Sequence, residues 1–226
     1  MITSKENAWF KRVRSAITEH ADEIVIEGPK AVADATAAGW KPIALPEFSP
    51  ALLKSVTDTR TSQGVIGLFA RPRWKADDVF ARRESIVVAL DGVQDPGNIG
   101  TIVRLAAAFD AAGVVLLPGC ADPYGPKAIR ASAGAILSVP IAEMSADALL
   151  ARRWPLFTAD AKGSPAPPPA RGAILAFGNE GQGISEPLRR GATALAVESS
   201  GRVESVNVAA AAAILLWRSF CSRSNA

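Results

Sequence analysis

Ile86-Val87-Val88-Ala89-Leu90-Asp91-Gly92-Val93-Gln94-Asp95-Pro96-Gly97-Asn98-Ile99-Gly100-Thr101-Ile102-Val103-Arg104 is the stretch on which the reading of this chain turns. Its first five residues are apolar and rich in β-branched side chains, the pattern of a buried strand. Pro96 and Gly97 force a tight turn. From Ile99 to Ala112 the spacing becomes helical, and Asn98 stands where a side chain caps such a helix. A strand that passes through a polar turn into a helix is half of a βαβ unit.

The same rhythm continues downstream. Gly113 to Leu117 reads as a strand, Lys127 to Ala133 as a helix and Ser138 to Ile141 as a short strand. Ala146 to Arg153 is predicted helical, and Leu156 to Ala159, Ala173 to Phe177 and Ala194 to Val197 are predicted strands. The proline-rich stretch Gly163 to Pro169 is a surface loop, because proline lacks the backbone donor. Asn207 to Phe220 is the last helix. Strands alternating with helices imply an α/β fold with a parallel sheet covered on both faces. Upstream lies a smaller α/β unit, with helices over Ala8 to His20, Lys30 to Ala38 and Leu52 to Thr57. Its strands are Ile24 to Ile26, Pro42 to Leu45 and Val65 to Ala70. Arg71 to Glu84 is polar and charged, and reads as a linker. The domains are therefore expected at 1–75 and 85–226, joined by 76–84.

Composition narrows the function classes. The chain is 49% hydrophobic and 21% charged over 226 residues, enough for a real core in one large or two small domains. No apolar run reaches the roughly 18 residues of a membrane span, so no membrane partner is expected. The first residues hold no apolar segment of a secretion signal, and a cytoplasmic location is expected. Cys120 and Cys221 lack metal or redox spacing and read as reduced thiols, so no metal is expected. The net charge of +3 is spread evenly, +2 over residues 1–84 and +1 over 85–226. That permits a nucleic-acid partner without demanding one. The basic clusters are Lys11-Arg12-Val13-Arg14, Arg71-Pro72-Arg73-Trp74-Lys75 and Arg82-Arg83. Taken singly, each is more often a solvated surface than an RNA contact.

Two further turns resemble the first in kind. Phe177-Gly178-Asn179-Glu180-Gly181-Gln182-Gly183-Ile184-Ser185 follows a strand, and Glu204-Ser205-Val206-Asn207-Val208-Ala209 opens a helix. In open α/β sheets, ligands bind beyond the carboxyl ends of the strands. The first turn suits an anion at a helix N-terminus, and Arg104 lies a turn and a half into that helix. Arg104 on a helix surface is the alternative reading. Gly178, Gly181 and Gly183 allow close backbone approach to a ligand, and Glu180 among them calls for a cation such as Arg104. Ser205 and Asn207 suit a helix start. The dinucleotide fingerprint G-x-G-x-x-G is absent from every strand-to-helix turn, which argues against an ordinary dehydrogenase.

In order and spacing, the three motifs, with Arg130-Ala131-Ser132-Ala133-Gly134-Ala135 between the first two, resemble the SpoU (TrmH) family of RNA 2′-O-ribose methyltransferases, in the SPOUT superfamily. The resemblance covers roughly Ile86 to Trp217. It implies a C-terminal domain tied in a deep trefoil knot, S-adenosylmethionine (SAM) as methyl donor, and an obligate homodimer. Asn98, Arg104, Glu180, Ser205 and Asn207 match the family's functional polar residues. Gly178, Asn179, Gly181, Val197, Val206 and Asn207 match positions that hold SAM. Val206 stands where the family usually has leucine. Residues 1 to about 75 resemble the family's ribosomal-protein-like RNA-binding domain, through Asn7, Lys11 and Ile26-Glu27-Gly28-Pro29-Lys30. Arg104 is then expected to stabilise a developing alkoxide and grip a phosphate, since a guanidinium is a poor base. Glu180 would hold Arg104, while Asn98 and Ser205 orient the ribose. Ribosomal RNA is the leading substrate. Transfer RNA, or a non-catalytic RNA-binding protein on the same scaffold, is the alternative. The lone histidine, His20, reads as a surface residue. A chain beginning near Arg82 is expected to keep the SAM site.

Overall fold

A computed structural model of the chain describes residues 1–19, 22–56 and 65–224. The expectations for His20 and Thr57 lie outside the described residues. The N-terminal unit runs α1 (Ala8–Thr18), β1 (Glu23–Glu27), α2 (Pro29–Ala37), β2 (Pro42–Ala44), α3 (Pro50–Lys54) and β3 (Ile66–Ala70). Its three strands form an antiparallel sheet in the order β1-β3-β2. Asn7 starts α1 by accepting a hydrogen bond from Trp9 N, the local device that lets this side chain end a loop. Phe10, Val13 and Ala16 then recur at helical spacing and pack on Val25, Ile66 and Leu68.

The larger unit follows α4 (Ala76–Val79). Its elements are β4 (Val87–Asp91), α5 (Pro96–Ala108), β5 (Gly113–Leu116), α6 (Pro126–Ser132), a 3-10 turn (Ala135–Leu137), β6 (Ile141–Glu143), α7 (Ala146–Leu150), β7 (Leu156–Ser164), β8 (Ile174–Gly178), α8 (Glu186–Arg190), β9 (Thr193–Leu195) and α9 (Val208–Ser224). The six strands are parallel in the order β6-β5-β4-β8-β7-β9. β4 shows why its sequence reads as a continuous apolar run. Val88 and Leu90 face one layer with Ile99, Ile102 and Val103 of α5, while Val87 and Ala89 face the other with Leu149 and Leu188. Both faces are covered, so neither parity of side chain can be polar.

Four details depart from the expected elements. β7 runs to Ser164, past the expected strand end at Ala159 and into the first two residues of the expected loop. Residues 76–79, within the expected linker, are helical and bury Val79 and Phe80 against the sheet. Residues 135–137 form a 3-10 turn just ahead of the strand expected from Ser138, and β6 begins only at Ile141. The short helix α8 had no counterpart in the expected elements.

α5 and α6 pack unusually close. A side-chain carbon on Gly100 would lie 2.2 Å from the Ala128 carbonyl oxygen, so only glycine fits at that crossing. The two units also share a core. Ile24, Ile26, Val32 and Trp40 belong to the same buried cluster as Ile136, Val139 and the α5 side chains. Trp40 Nε1 donates to the Leu137 carbonyl at 3.1 Å and its ring meets Tyr124 edge-on. Arg71 pairs with Asp122 at 2.9 Å and lies over the Tyr124 ring.

Candidate active site

The carboxyl ends of β4 and β8 and the start of α9 converge on one set of side chains. Asp95, not Asn98, is the N-cap of α5, accepting from Gly97 N at 2.8 Å, with Pro96 in the first position of the helix. That corrects the expected cap by three residues. Lys127 at the start of α6 donates to the same carboxylate at 2.6 Å. The Lys127 hydrogen bond, joined by the Gly97 N–H, holds the Asp95 carboxyl below its ordinary range.

Because Asp95 does the capping, Asn98 is free to turn outward from the first turn. Its Nδ2 donates to Glu180 Oε1 at 2.8 Å, and its Oδ1 accepts from Asn207 Nδ2 at 3.2 Å. Residues 82 and 109 positions apart in sequence thus form one chain of hydrogen bonds, Asn207 to Asn98 to Glu180. Asn207 also caps α9 by accepting from Ala209 N at 2.8 Å. Burial pushes the Glu180 carboxyl up. Hydrogen bonds from Asn98 and from the N–H groups of Glu180, Gln94 and Asp95 outweigh it, and the net position is below the ordinary value. Glu180 is therefore an ionised acceptor at neutral pH.

The loop after β8 is a small closed structure. Asn179 and Gly183 exchange backbone hydrogen bonds of 3.1 and 2.9 Å. Asn179 Oδ1 accepts from Gly181 N and Gln182 N, and its Nδ2 donates to the Gly92 carbonyl at 2.8 Å. Asp91 accepts from Ser185 N at 2.7 Å. These bonds tie the turns after β4 and β8 together, beside those that Glu180 accepts from the Gln94 and Asp95 N–H groups. A carbon added to Gly178 would lie 2.3 Å from the Gly183 carbonyl carbon. The glycine at 178 is required by the loop's own return, before any ligand is considered.

Two expected site residues stand apart from this network. Arg104 is exposed and, among the described residues, makes no hydrogen bond or ion pair. The expected Glu180–Arg104 pair is not formed. Arg104 is six residues along α5 from Asn98, about 9 Å of axis, and not on its face. Ser205 is exposed and likewise makes no hydrogen bond among the described residues. Val197 is half-buried against the core, and Val206 is exposed beside Asn207. Sequence reasoning missed Asp95, Lys127 and Asp91. Asp95 carried a readable signal, an acidic residue directly before a proline that suits the first helical position. Lys127 carried none, since its partner lies 32 residues away.

A family model described as the SpoU rRNA Methylase family matches residues 85–217. An uncharacterized tRNA/rRNA methyltransferase of Synechocystis is 32% identical, over 74% of this chain and 63% of the relative. The chain thus spans less than two thirds of that relative's length. The 23S rRNA (guanosine(2553)-2'-O)-methyltransferase of Bacillus subtilis is 35% identical, over 72% of this chain and 67% of the relative. Among solved structures, an AdoMet-bound rRNA methyltransferase from Sinorhizobium meliloti superimposes with a TM-score of 0.88 at 25% identity, over 98% of this chain and 97% of that one.

Proposed function

This chain belongs to the SpoU rRNA methylase family, and on that premise we propose that it methylates a ribose 2′-hydroxyl of RNA from SAM, with ribosomal RNA as substrate. The observation that carries this reading is the Asn207–Asn98–Glu180 chain, which gathers all three motifs beyond the strand ends.

The residues present suit SAM. Val206 offers an exposed apolar side chain next to Asn207, and Val197 a half-buried one. The backbone of Gly178, Asn179 and Gly181 lines a loop already fixed by its own hydrogen bonds. These residues, with Asn207, would hold the group. When bound, SAM supplies a methyl already activated by its sulfonium charge. The protein's task is then alignment and care of the 2′-proton. Glu180, ionised, fixes the Asn98 amide, and Asn98 with Ser205 orients the ribose. Arg104, without a partner among the described residues, stabilises the developing alkoxide and grips the adjacent phosphate.

Around that site we place three further features. Residues 1–75 serve as the RNA-binding domain, with Lys11, Arg12 and Arg14 on its surface, and 76–84 connect it to a catalytic domain over 85–226. The catalytic domain is a homodimer through α9, where Ile214, Trp217 and Phe220 remain exposed. Its C-terminal segment is knotted. What supports this is that β9 pairs with β7 at the sheet edge while α9 returns to pack on α5 and β8 at the centre. Among the described residues no helix is long and apolar enough to cross a membrane, and we place the protein in the cytoplasm with its RNA. The test is SAM-dependent methyl transfer to ribosomal against transfer RNA, followed by mapping of the 2′-O-methyl position. Modification of neither RNA would overturn the proposal, and modification of transfer RNA alone would change its substrate.

A further inference from the structure

A cavity of about 440 Å3 lies where β1 and α2 of the N-terminal unit meet α6 and the 3-10 turn. Its floor is apolar, built from Ile26, Ile129 and Ile136. Its charged lining is balanced, with Lys30 and Arg130 against Glu27 and Asp34. Lys30 and Asp34 already pair at 2.6 Å. A balanced set of donors and acceptors above an apolar floor does not select an anion. It selects a neutral group with apolar faces and a mixed hydrogen-bonding edge, which is the chemistry of a nucleobase.

The cavity's place says where such a base comes from. α6 forms one wall, and it is seven residues long, about 10 Å. Its second residue, Lys127, reaches Asp95, the cap of the helix that carries Asn98. One end of α6 therefore faces the candidate reaction site while its other residues, Ile129 and Arg130, face the cavity. Single-stranded RNA is recognised by splaying individual bases into such pockets.

We propose that this cavity is a nucleotide subsite, taking one unpaired base of the substrate RNA close to the ribose that is methylated. The assignment rests on the RNA methyltransferase reading above. The cavity lies apart from the three motifs, so its occupant is a neighbour of the target nucleotide, not the target itself. Because both units build its walls, it also gives the junction between them a reading role.

Isoleucine-methyl NMR of the full chain tests this. The four nucleoside 5′-monophosphates, at millimolar concentration, should move the Ile26, Ile129 and Ile136 methyls saturably for at least one base, and inorganic phosphate should not. Ile129→Trp and Ala31→Leu, which fill the cavity from opposite walls, should each abolish the shifts. A single-stranded tetranucleotide should move the same methyls at lower concentration and with greater salt sensitivity. SAM, added separately, should move methyls near the β8 loop such as Ile184, and that response confirms folding of each variant. No movement with any nucleotide, equal movement with phosphate, or shifts that persist in both folded variants would overturn the proposal. Response to mononucleotides but not to the oligonucleotide would mean a free nucleotide and would overturn the RNA assignment. Loss of the SAM response with the cavity response intact would instead sink the methyltransferase reading, so the two failures are distinguishable.

Discussion

Asn98 can face in only one direction. Glu180, ionised, only accepts, so the Asn98 amide nitrogen must point to it and the amide oxygen to Asn207. The orientation of a residue proposed to touch ribose is thus set by a carboxylate that need not touch it. Glu180→Gln can present its nitrogen to Asn98 and reverse that choice. The pH dependence follows with a definite sign. The Glu180 carboxyl is lowered from 4.5 by its hydrogen bonds, so its contribution to stability is complete above the unfolded value. It is lost as pH falls through the lower folded value. We expect the urea midpoints of wild type and Glu180→Gln to differ at pH 7 and to converge as the pH falls through the folded value, which lies below 4.5. A constant difference would refute the coupling. Arg104 behaves in the opposite way, since nothing within the described chain engages it. Arg104→Ala should slow turnover by roughly a hundredfold or more, the usual loss for a donor that stabilises a developing anion. SAM affinity by calorimetry should be unchanged. Lysine should rescue only partly, because the bidentate fork is lost.

At the scale of elements, the crossing of α5 and α6 is the tightest demand the sequence meets. Gly100→Ala would place a carbon against the Ala128 carbonyl. α6 must then shift, and with it Lys127 and one wall of the cavity. We expect a loss of about 1–3 kcal/mol, as for other overpacked cores, read as a lower urea midpoint with unchanged slope. Which elements were legible follows from where their signals lie. β4, β5 and β8 announce themselves because burial on both faces makes them continuously apolar. The start of α5 was read three residues late because Asn98 is as good a cap type as Asp95. Only the structure reveals that Asn98 is engaged elsewhere. Ser138 to Ile141 reads as strand on its apolar residues, yet the left-handed pair Ala133 and Gly134 re-aims the chain into a 3-10 turn first, and the strand begins only at Ile141. Gly178 was read as room for a ligand. The closed loop after β8 shows that a neighbouring backbone needs that room, which no local pattern conveys.

The whole molecule raises the question of what its two units owe each other and a second copy. α9 leaves Trp217 54% exposed between two other apolar side chains, Ile214 and Phe220. Light scattering should therefore give about twice the 23.6 kDa chain mass, and Trp217→Glu should shift the protein toward monomer. From sequence alone the N-terminal unit looked separable, because the charges of Arg71 to Glu84 resemble a linker and shared burial is invisible to periodicity. The structure argues otherwise. A chain beginning at Arg82 would lose Val79 and Phe80 from one face of the sheet and Trp40 from the cluster on the other. It would also lose Arg71, leaving Asp122 without that partner and Tyr124 without the cation over its ring. Removing a single buried aromatic costs about 3–5 kcal/mol, and in a protein of this size each kcal/mol is worth about 2–4 °C of melting temperature. We expect the truncated chain to melt at least about 10 °C below the full chain and to bind SAM weakly for want of a stable fold. A truncated chain with undiminished melting temperature would show that the shared core is a contact of convenience, and that residues 1–75 serve RNA alone.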